Sequence, residues 1–155
     1  MRAVDREADM ATKVPGRASP RLEEQLCFAV YRAGQAFTRM YRSVLAETGL
    51  TYPQYLVMLV LWEGDGLTVK ALGERLSLDS GTLTPLLKRL EAAGLIRRER
   101  SRSDERQVLL HLTEAGEGLR EKGACVPDAM GRAIGAALPP DGRLLTDLAA
   151  LREAL

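Results

Sequence analysis

The sequence predicts a mainly α-helical fold that carries one small β-hairpin, and three observations predict it. Apolar residues recur at alternating spacings of three and four over most of Leu22 to Leu90 and again from Leu119 onward. A single stretch, Leu95 to Leu112, instead holds two strand-like runs about a polar centre. Turn formers (Gly49, Gly64-Asp65-Gly66, Gly94, Pro139-Pro140) separate the periodic segments.

At 155 residues and 46% hydrophobic, the chain can bury one sizeable core. This points to a single domain over 21–155 behind a flexible tail, 1–20. A long multidomain enzyme is excluded. A net charge of +1 means that any nucleic-acid surface must come from local placement of charge, which favours site-specific binding over bulk coating. The longest apolar run, Tyr55 to Trp62, falls far short of the roughly 20 residues that span a bilayer. With no apolar signal-like segment near the start, the expected location is the cytoplasm, and no membrane partner is expected. Cys27 and Cys125 stand far apart without a CxxC or Cys/His cluster. They resemble neither a metal site nor a secreted disulfide framework, so no metal or cofactor is expected.

Taken in order, the first helix runs from Leu22 to about Thr48. One stripe contains Leu26, Val30, Ala33, Phe37, Met40 and Val44; a second contains Cys27, Tyr31, Gly34, Thr38, Tyr41 and Leu45. Two stripes suit burial on two sides, one against the chain's own core and one against a partner copy. Gly49 ends this helix, and Tyr52-Pro53 opens the next with proline near its first position. Thr68 caps a short helix over Val69 to Leu76. Another helix starts near Ser80, so that Pro85 removes one backbone bond inside it, because a later start leaves too long a turn. Gly94 stops that helix in a left-handed conformation. Leu95 to Arg100 and Gln107 to Leu112 form the hairpin around a charged tip. Thr113 caps a helix carrying Leu119, Cys125, Val126, Met130 and Ile134, kinked at Pro127. A last helix places Leu144, Leu148, Leu151 and Leu155 on a narrow seam suited to subunit pairing.

Helix, turn, helix and charged hairpin, in that order, make a winged helix-turn-helix over about 53–112, leaving 21–48 and 113–155 as dimerisation helices. A helix fits the DNA major groove with its leading side chains at base edges, and a hairpin arm reaches the adjacent minor groove. The leading end of the second helix offers Asp79, Ser80, Thr82 and Thr84, with Lys88 and Arg89 behind them for phosphates. Between residues 88 and 106 seven basic side chains face four acidic ones. Arg102 or Arg106 can enter a narrow minor groove, with Asp104 holding Arg106 by a charge-assisted pair. Trp62 reads as core, and His111, with no second ligand at metal spacing, as a partly exposed strand residue.

The segment Leu67 to Ile96, together with Ser103-Asp-Glu-Arg106, resembles the multiple antibiotic resistance regulator (MarR) family. Asp79-Ser-Gly-Thr-Leu-Thr-Pro85 and Leu26-Cys27-Phe28 are similar to its organic hydroperoxide resistance regulator (OhrR) branch. The resemblance covers nearly all of Leu22 to Ile134. It implies a homodimeric repressor on pseudopalindromic double-stranded operator DNA, touched by Asp79, Ser80, Thr82, Arg89 and Arg106. It also implies that organic hydroperoxide is the signal. Tyr31, Tyr41 and Tyr52, three of only four tyrosines, match positions where the family places hydroxyls near its reactive cysteine. A phenol can donate to a thiolate, and Cys27 lies near a helix start, where the macrodipole favours that form.

Tyr41 lies fourteen residues beyond Cys27, about 21 Å along a straight helix at 1.5 Å per residue. If Tyr41 and Tyr52 do reach the thiol, they most simply come from the other subunit; the resemblance implies the same. It further implies oxidation of Cys27 to a sulfenic acid and an intersubunit disulfide with Cys125, as in two-cysteine members, while one-cysteine members cap the sulfur with a small cellular thiol. Beside a purely structural dimer without sequence-specific DNA binding, two rival readings stay open. One releases the DNA reader by a small aromatic or phenolic ligand in the dimer cleft. The other is a thiol peroxidase, which the lack of a thioredoxin-like βαβ pattern disfavours, so no enzymatic activity is expected.

Overall fold

A computed structural model of the chain describes residues 21–101, 104, 106–135 and 142–155. The sequence reading of 1–20 as a tail, like the Pro139-Pro140 break, lies outside the described residues. Two compact units divide the chain, the first ending at Phe37 and the second spanning Thr38–Leu155. Among the described residues there are eight α-helices and three short strands.

The first helix is shorter than its apolar spacing suggests. A 3-10 turn at Leu22–Glu24 precedes α1 (Leu26–Val44), and a second 3-10 turn, Ala46–Thr48, leads into Gly49 at φ 68°. In the first unit Leu26, Val30, Tyr31 and Phe37, all from the apolar stripes, are exposed.

The second unit is built around α2 (Tyr52–Glu63). Thr51 precedes it and donates its backbone N–H to Gln54 Oε1 at 2.9 Å, fixing the entry of the chain. Proline sits in its first turn, where no intrahelical N–H is lost. Tyr55, Val57, Met58, Val60, Leu61 and Trp62 are buried. A helix buried around most of its circumference must be the centre of its unit rather than a surface element. Three side chains of α2 anchor it to its neighbours. Trp62 Nε1 donates to the Gly116 carbonyl at 3.0 Å, Tyr55 Oη donates to the Gly123 carbonyl at 3.1 Å, and Glu63 pairs with Arg75.

Next comes β1 (Leu67–Thr68), a strand absent from the sequence reading. It is followed by α3 (Val69–Leu76), α4 (Ser80–Ala92), β2 (Ile96–Arg100) and β3 (Val108–Leu112). The antiparallel sheet has the order β1-β3-β2, with Leu67 opposite Leu110, Ile96 opposite Leu112 and Arg100 opposite Val108. Two residues form a strand here only because β3 supplies their ladder, a nonlocal cause without signature in local periodicity. Thr68 caps α3 through Ala71 N–H at 3.0 Å, and Asp79 caps α4. Pro85 lies inside α4, as the early-start reading requires, and Gly94 has φ 71°. The turn between α3 and α4 is tight. Ser77 takes φ 53°, and Leu78 N–H closes on the Gly73 carbonyl at 2.9 Å.

Beyond the hairpin, the single kinked helix of the sequence reading is three helices: α5 (Glu114–Gly118), α6 (Arg120–Ala124) and α7 (Val126–Ile134). Pro127 stands in the first turn of α7, so it begins a helix where a mid-helix kink was expected. An earlier break falls at Leu119, beside close packing. A Cβ on Gly116 would collide with the Leu95 carbonyl, and one on Gly123 with the Trp62 ring. The last helix, α8 (Arg143–Ala154), buries no residue within the chain.

Gly116→Ala and Gly123→Ala are each expected to destabilise the chain by about 1–3 kcal/mol through overpacking. Gly118→Ala, with no atom near its Cβ, is expected to be neutral. Urea unfolding followed by circular dichroism measures all three.

Candidate nucleic-acid interface and thiols

The leading end of α4 is shaped by its own hydrogen bonds. Asp79 Oδ1 accepts from Thr82 N–H at 2.9 Å and its Oδ2 accepts from the Thr82 hydroxyl at 2.8 Å; Thr84 Oγ1 donates to the Ser80 carbonyl at 2.7 Å. Both threonine protons are therefore committed locally. What remains for a base edge is the lone pairs and methyl groups of Thr82 and Thr84 and the hydroxyl of Ser80. All of Asp79, Ser80, Thr82, Thr84, Lys88 and Arg89 are exposed. The Thr82 backbone and hydroxyl donors hold the Asp79 carboxyl below the usual carboxylate range, so the cap stays charged.

Ion pairing divides the basic residues of the hairpin region. Arg97 pairs with Glu99 at 2.7 Å and Arg98 with Glu91 at 3.0 Å. Lys88, Arg89, Arg100 and Arg106 have no ion pair among the described residues. Arg102 lies outside the described residues. Asp104 does not act as the sequence reading has it. Its Oδ1 accepts the Arg106 backbone N–H at 3.0 Å and its Oδ2 accepts from Gln107 Nε2 at 3.0 Å, while its carbonyl closes the turn with Gln107 N–H at 2.9 Å. A short carboxylate two residues before a turn amide favours this backbone bond over a pair with a long guanidinium. Asp104 thus shapes the wing turn.

Asp65 and Lys70 were missed from sequence. Asp65 Oδ1 accepts from Leu112 N–H at 2.8 Å, and its Oδ2 lies 3.0 Å from His111 Nδ1. His111 is therefore a pinned residue, fastening β3 to the turn ahead of α3. Burial pushes the Asp65 carboxyl up, but the Leu112 amide, the His111 ring and the Gly66 amide together outweigh it and hold the carboxyl low. Lys70 is an exposed cation that lines two cavities, one beside the start of α4 and one beside the wing.

Cys27 is a free, exposed thiol in the first turn of α1. Tyr31, one turn on, accepts from Gln35 Nε2 at 3.3 Å and stacks with Phe28 at a centroid distance of 6.4 Å. In the second unit Tyr41 and Tyr52 come together as a stacked pair, centroids 4.0 Å apart, with Tyr55 at 6.2 Å from Tyr41. Burial, reinforced by Tyr52, raises the Tyr41 phenol; burial and both neighbours push Tyr55 up to about 12. These phenols stay protonated near neutrality and remain hydrogen-bond donors. Cys125 is also free and exposed. Its Sγ lies 3.5 Å from the Glu121 carbonyl, and it lines a cavity of about 260 Å³ with Val44, Thr48, Lys122 and Arg132.

A helix-turn-helix with a pinned three-stranded wing defines the winged helix class of DNA-binding folds. Comparison with known proteins narrows the class. A family model described as transcriptional regulator SarA/Rot matches residues 39–122. The regulator TtmR of Methylorubrum extorquens is 58% identical over 141 residues, covering 90% of this chain and 72% of its own length. The organic hydroperoxide resistance transcriptional regulator of Bacillus subtilis is 54% identical over 107 residues, covering 69% and 73%. AbfR of Staphylococcus epidermidis, in its reduced DNA-bound structure, superposes with a TM-score of 0.70 at 38% identity, covering 86% of this chain and 94% of that one. Its disulfide-formed structure gives 0.61 at 39%, covering 86% and 91%. The chain belongs to the MarR family of transcriptional regulators.

Two outcomes test the local chemistry. Asp79→Asn keeps a good cap and is expected to hold the thermal midpoint, whereas Asp79→Ala lowers it. Because the folded Asp65 carboxyl titrates below its unfolded value of about 3.9, its contribution is complete above that pH and is lost as pH falls through the lower folded value. The stability gap between wild type and Asp65→Asn is therefore expected to be flat above about pH 4 with respect to this carboxyl and to close in stronger acid.

Proposed function

We propose that the chain is a homodimeric, redox-sensing repressor that leaves its operator when an organic hydroperoxide oxidises Cys27. One observation carries this reading: Cys27 is a free, exposed thiol in the first turn of an amphipathic helix whose Leu26, Val30, Tyr31 and Phe37 are exposed. The identity with a hydroperoxide resistance regulator supports it, as does a relative solved both reduced on DNA and with its disulfide formed.

In the resting dimer two α4 helices, about 34–36 Å apart, enter successive major grooves of a pseudopalindromic operator. Asp79, Ser80, Thr82 and Thr84 face base edges, Lys88 and Arg89 contact phosphates, and Arg102 and Arg106 reach the minor groove from a wing shaped by Asp104. At the sensor, Tyr31 of the same subunit and the stacked Tyr41–Tyr52 pair of the partner subunit donate hydrogen bonds toward the Cys27 thiolate. The thiolate attacks one peroxide oxygen, the O–O bond breaks, and the departing alkoxide takes up a proton to leave as an alcohol. Cys27 is thereby oxidised by two electrons to a sulfenic acid. The thiolate of Cys125 of the partner subunit then attacks that sulfur, expelling hydroxide, which becomes water on protonation, and forming an intersubunit disulfide. The tie changes the spacing of the two α4 helices, and a thiol reductant restores them.

Mobility shifts on DNA upstream of the chain's own coding sequence are expected to show operator affinity falling roughly 5- to 150-fold on tert-butyl hydroperoxide treatment, the usual range for coupled sites. Reductant should restore binding, and Cys27→Ser should be insensitive. Peroxide release that persists in Cys27→Ser would sink this reading in favour of a ligand-gated regulator. On non-reducing gels a dimer band is expected for wild type and for neither Cys27→Ser nor Cys125→Ser; monomer in oxidised wild type would refute the disulfide.

A further inference from the structure

Lys70 sits on a short helix, α3, that precedes the proposed reading helix, and its place in the fold is distinctive. It lines the cavity formed with Ser77, Asp79, Ser80 and Leu83 at the start of α4, and also the cavity formed with Thr68, Arg106, Gln107 and Val108 beside the wing. One cation therefore stands between the element proposed to read the major groove and the element proposed to enter the minor groove.

The geometry of a duplex makes that position meaningful. A major groove and its adjacent minor groove are separated by one sugar-phosphate strand. A protein that occupies both grooves must let that strand pass between its two reading elements. We infer that Lys70 and Arg106 form a clamp for a phosphate of this intervening strand, seated in the wing-side cavity. Resting on the DNA-binding reading above, the clamp adds a contact that registers wing against helix.

Charge decides between the two cavities. The one beside α4 is also lined by the carboxylates of Glu74 and Asp79, whereas the wing-side cavity has two cations and, among the described residues, no carboxylate in its lining. Lys70 has an ion pair with Glu74 at 3.8 Å, but the two side chains are 86% and 67% exposed. A pair so exposed is weakly held and exchanges readily for a phosphate. The Arg106 guanidinium has no ion pair among the described residues, and Asp104 binds Arg106 at its backbone N–H. The wing turn therefore fixes where Arg106 starts without neutralising it.

A phosphate contact has its own signature: it is blind to sequence and releases counterions. The test measures reduced full-length wild type, Lys70→Gln and Lys70→Arg on the upstream operator duplex and on a scrambled duplex over a salt series. Lys70→Gln is expected to weaken both complexes equally, leaving their ratio unchanged. Its log–log salt slope should be shallower by about 0.9 per subunit, or about 1.8 for the dimer. Lys70→Arg should restore the slope. A wild-type slope in Lys70→Gln, or a loss confined to the operator duplex, overturns the clamp while leaving the DNA reader standing. Absence of salt-sensitive operator binding in wild type overturns the DNA reader and the clamp with it. Thermal melting of the variants is expected to match wild type, since Lys70 is exposed.

Discussion

The Trp62 indole rests on the bare Cα of Gly123, while its Nε1–H is held by the Gly116 carbonyl. Both glycines belong to helices that follow the wing, and Trp62 belongs to the buried helix that precedes the reader. The side chain therefore closes the second unit across 54 residues of sequence. Arg120 adds to the same closure by donating to the Trp62 carbonyl, and Tyr55 by donating to the Gly123 carbonyl. Because interiors transmit small displacements rather than absorb them, α6 cannot move without moving α2. Cys125 stands directly after α6 and Tyr52 opens α2. Cys125 and Tyr52, both proposed for sensing, are thus tied through packing to the scaffold that carries the helix-turn-helix.

The proposed reading surface is economical with charge. Its net excess is small, and ion pairs hold Arg97 and Arg98 against their own strand and helix. What distinguishes the surface is where its other cations stand: Lys88 and Arg89 behind the leading end of α4, Arg100 and Arg106 on the wing, and Lys70, in an exposed pair with Glu74, beside both. Local hydrogen bonds commit the threonine protons at that end, which biases the surface toward accepting bonds and methyl contacts. Such a design suits recognition by shape and placement, and it lets a chain of charge +1 bind a polyanion without coating it.

What could be read from sequence was whatever is decided within a turn or two. The caps at Thr68 and Thr113, the early start of α4 around Pro85 and the stop at Gly94 depend on neighbours three or four residues away, and periodicity exposes them. What escaped depends on distant partners. Leu67 and Thr68 become a strand only opposite Leu110 and Leu109. The break at Leu119 lies between glycines whose close packing is against Leu95 and Trp62. The Asp65–His111 contact joins residues 46 apart. Charge complementarity points Asp104 to the Arg106 guanidinium, whereas its short reach favours the Arg106 backbone amide. The stacking of Tyr41 on Tyr52 was likewise invisible, although both residues had been singled out for their chemistry.

That stacked pair bears on how a thiol could control an assembly. Burial and its hydrogen bond with Tyr52 raise the Tyr41 phenol, which leaves the stacked pair one hydroxyl proton that needs an acceptor wherever water is excluded. On the proposed reading, the resting thiolate is that acceptor, and a charge-assisted bond of this kind is about twice as strong as a neutral one. A disulfide carries no charge and accepts weakly. Forming it would leave that proton without its partner in the proposed interface, and an unmet buried donor costs about 1–3 kcal/mol. The reduced arrangement is then favoured by the same hydrogen bonds that oxidation removes. Control of the reader would not depend on the covalent tie alone, because losing the acceptor already weakens the packing that holds the two copies in register.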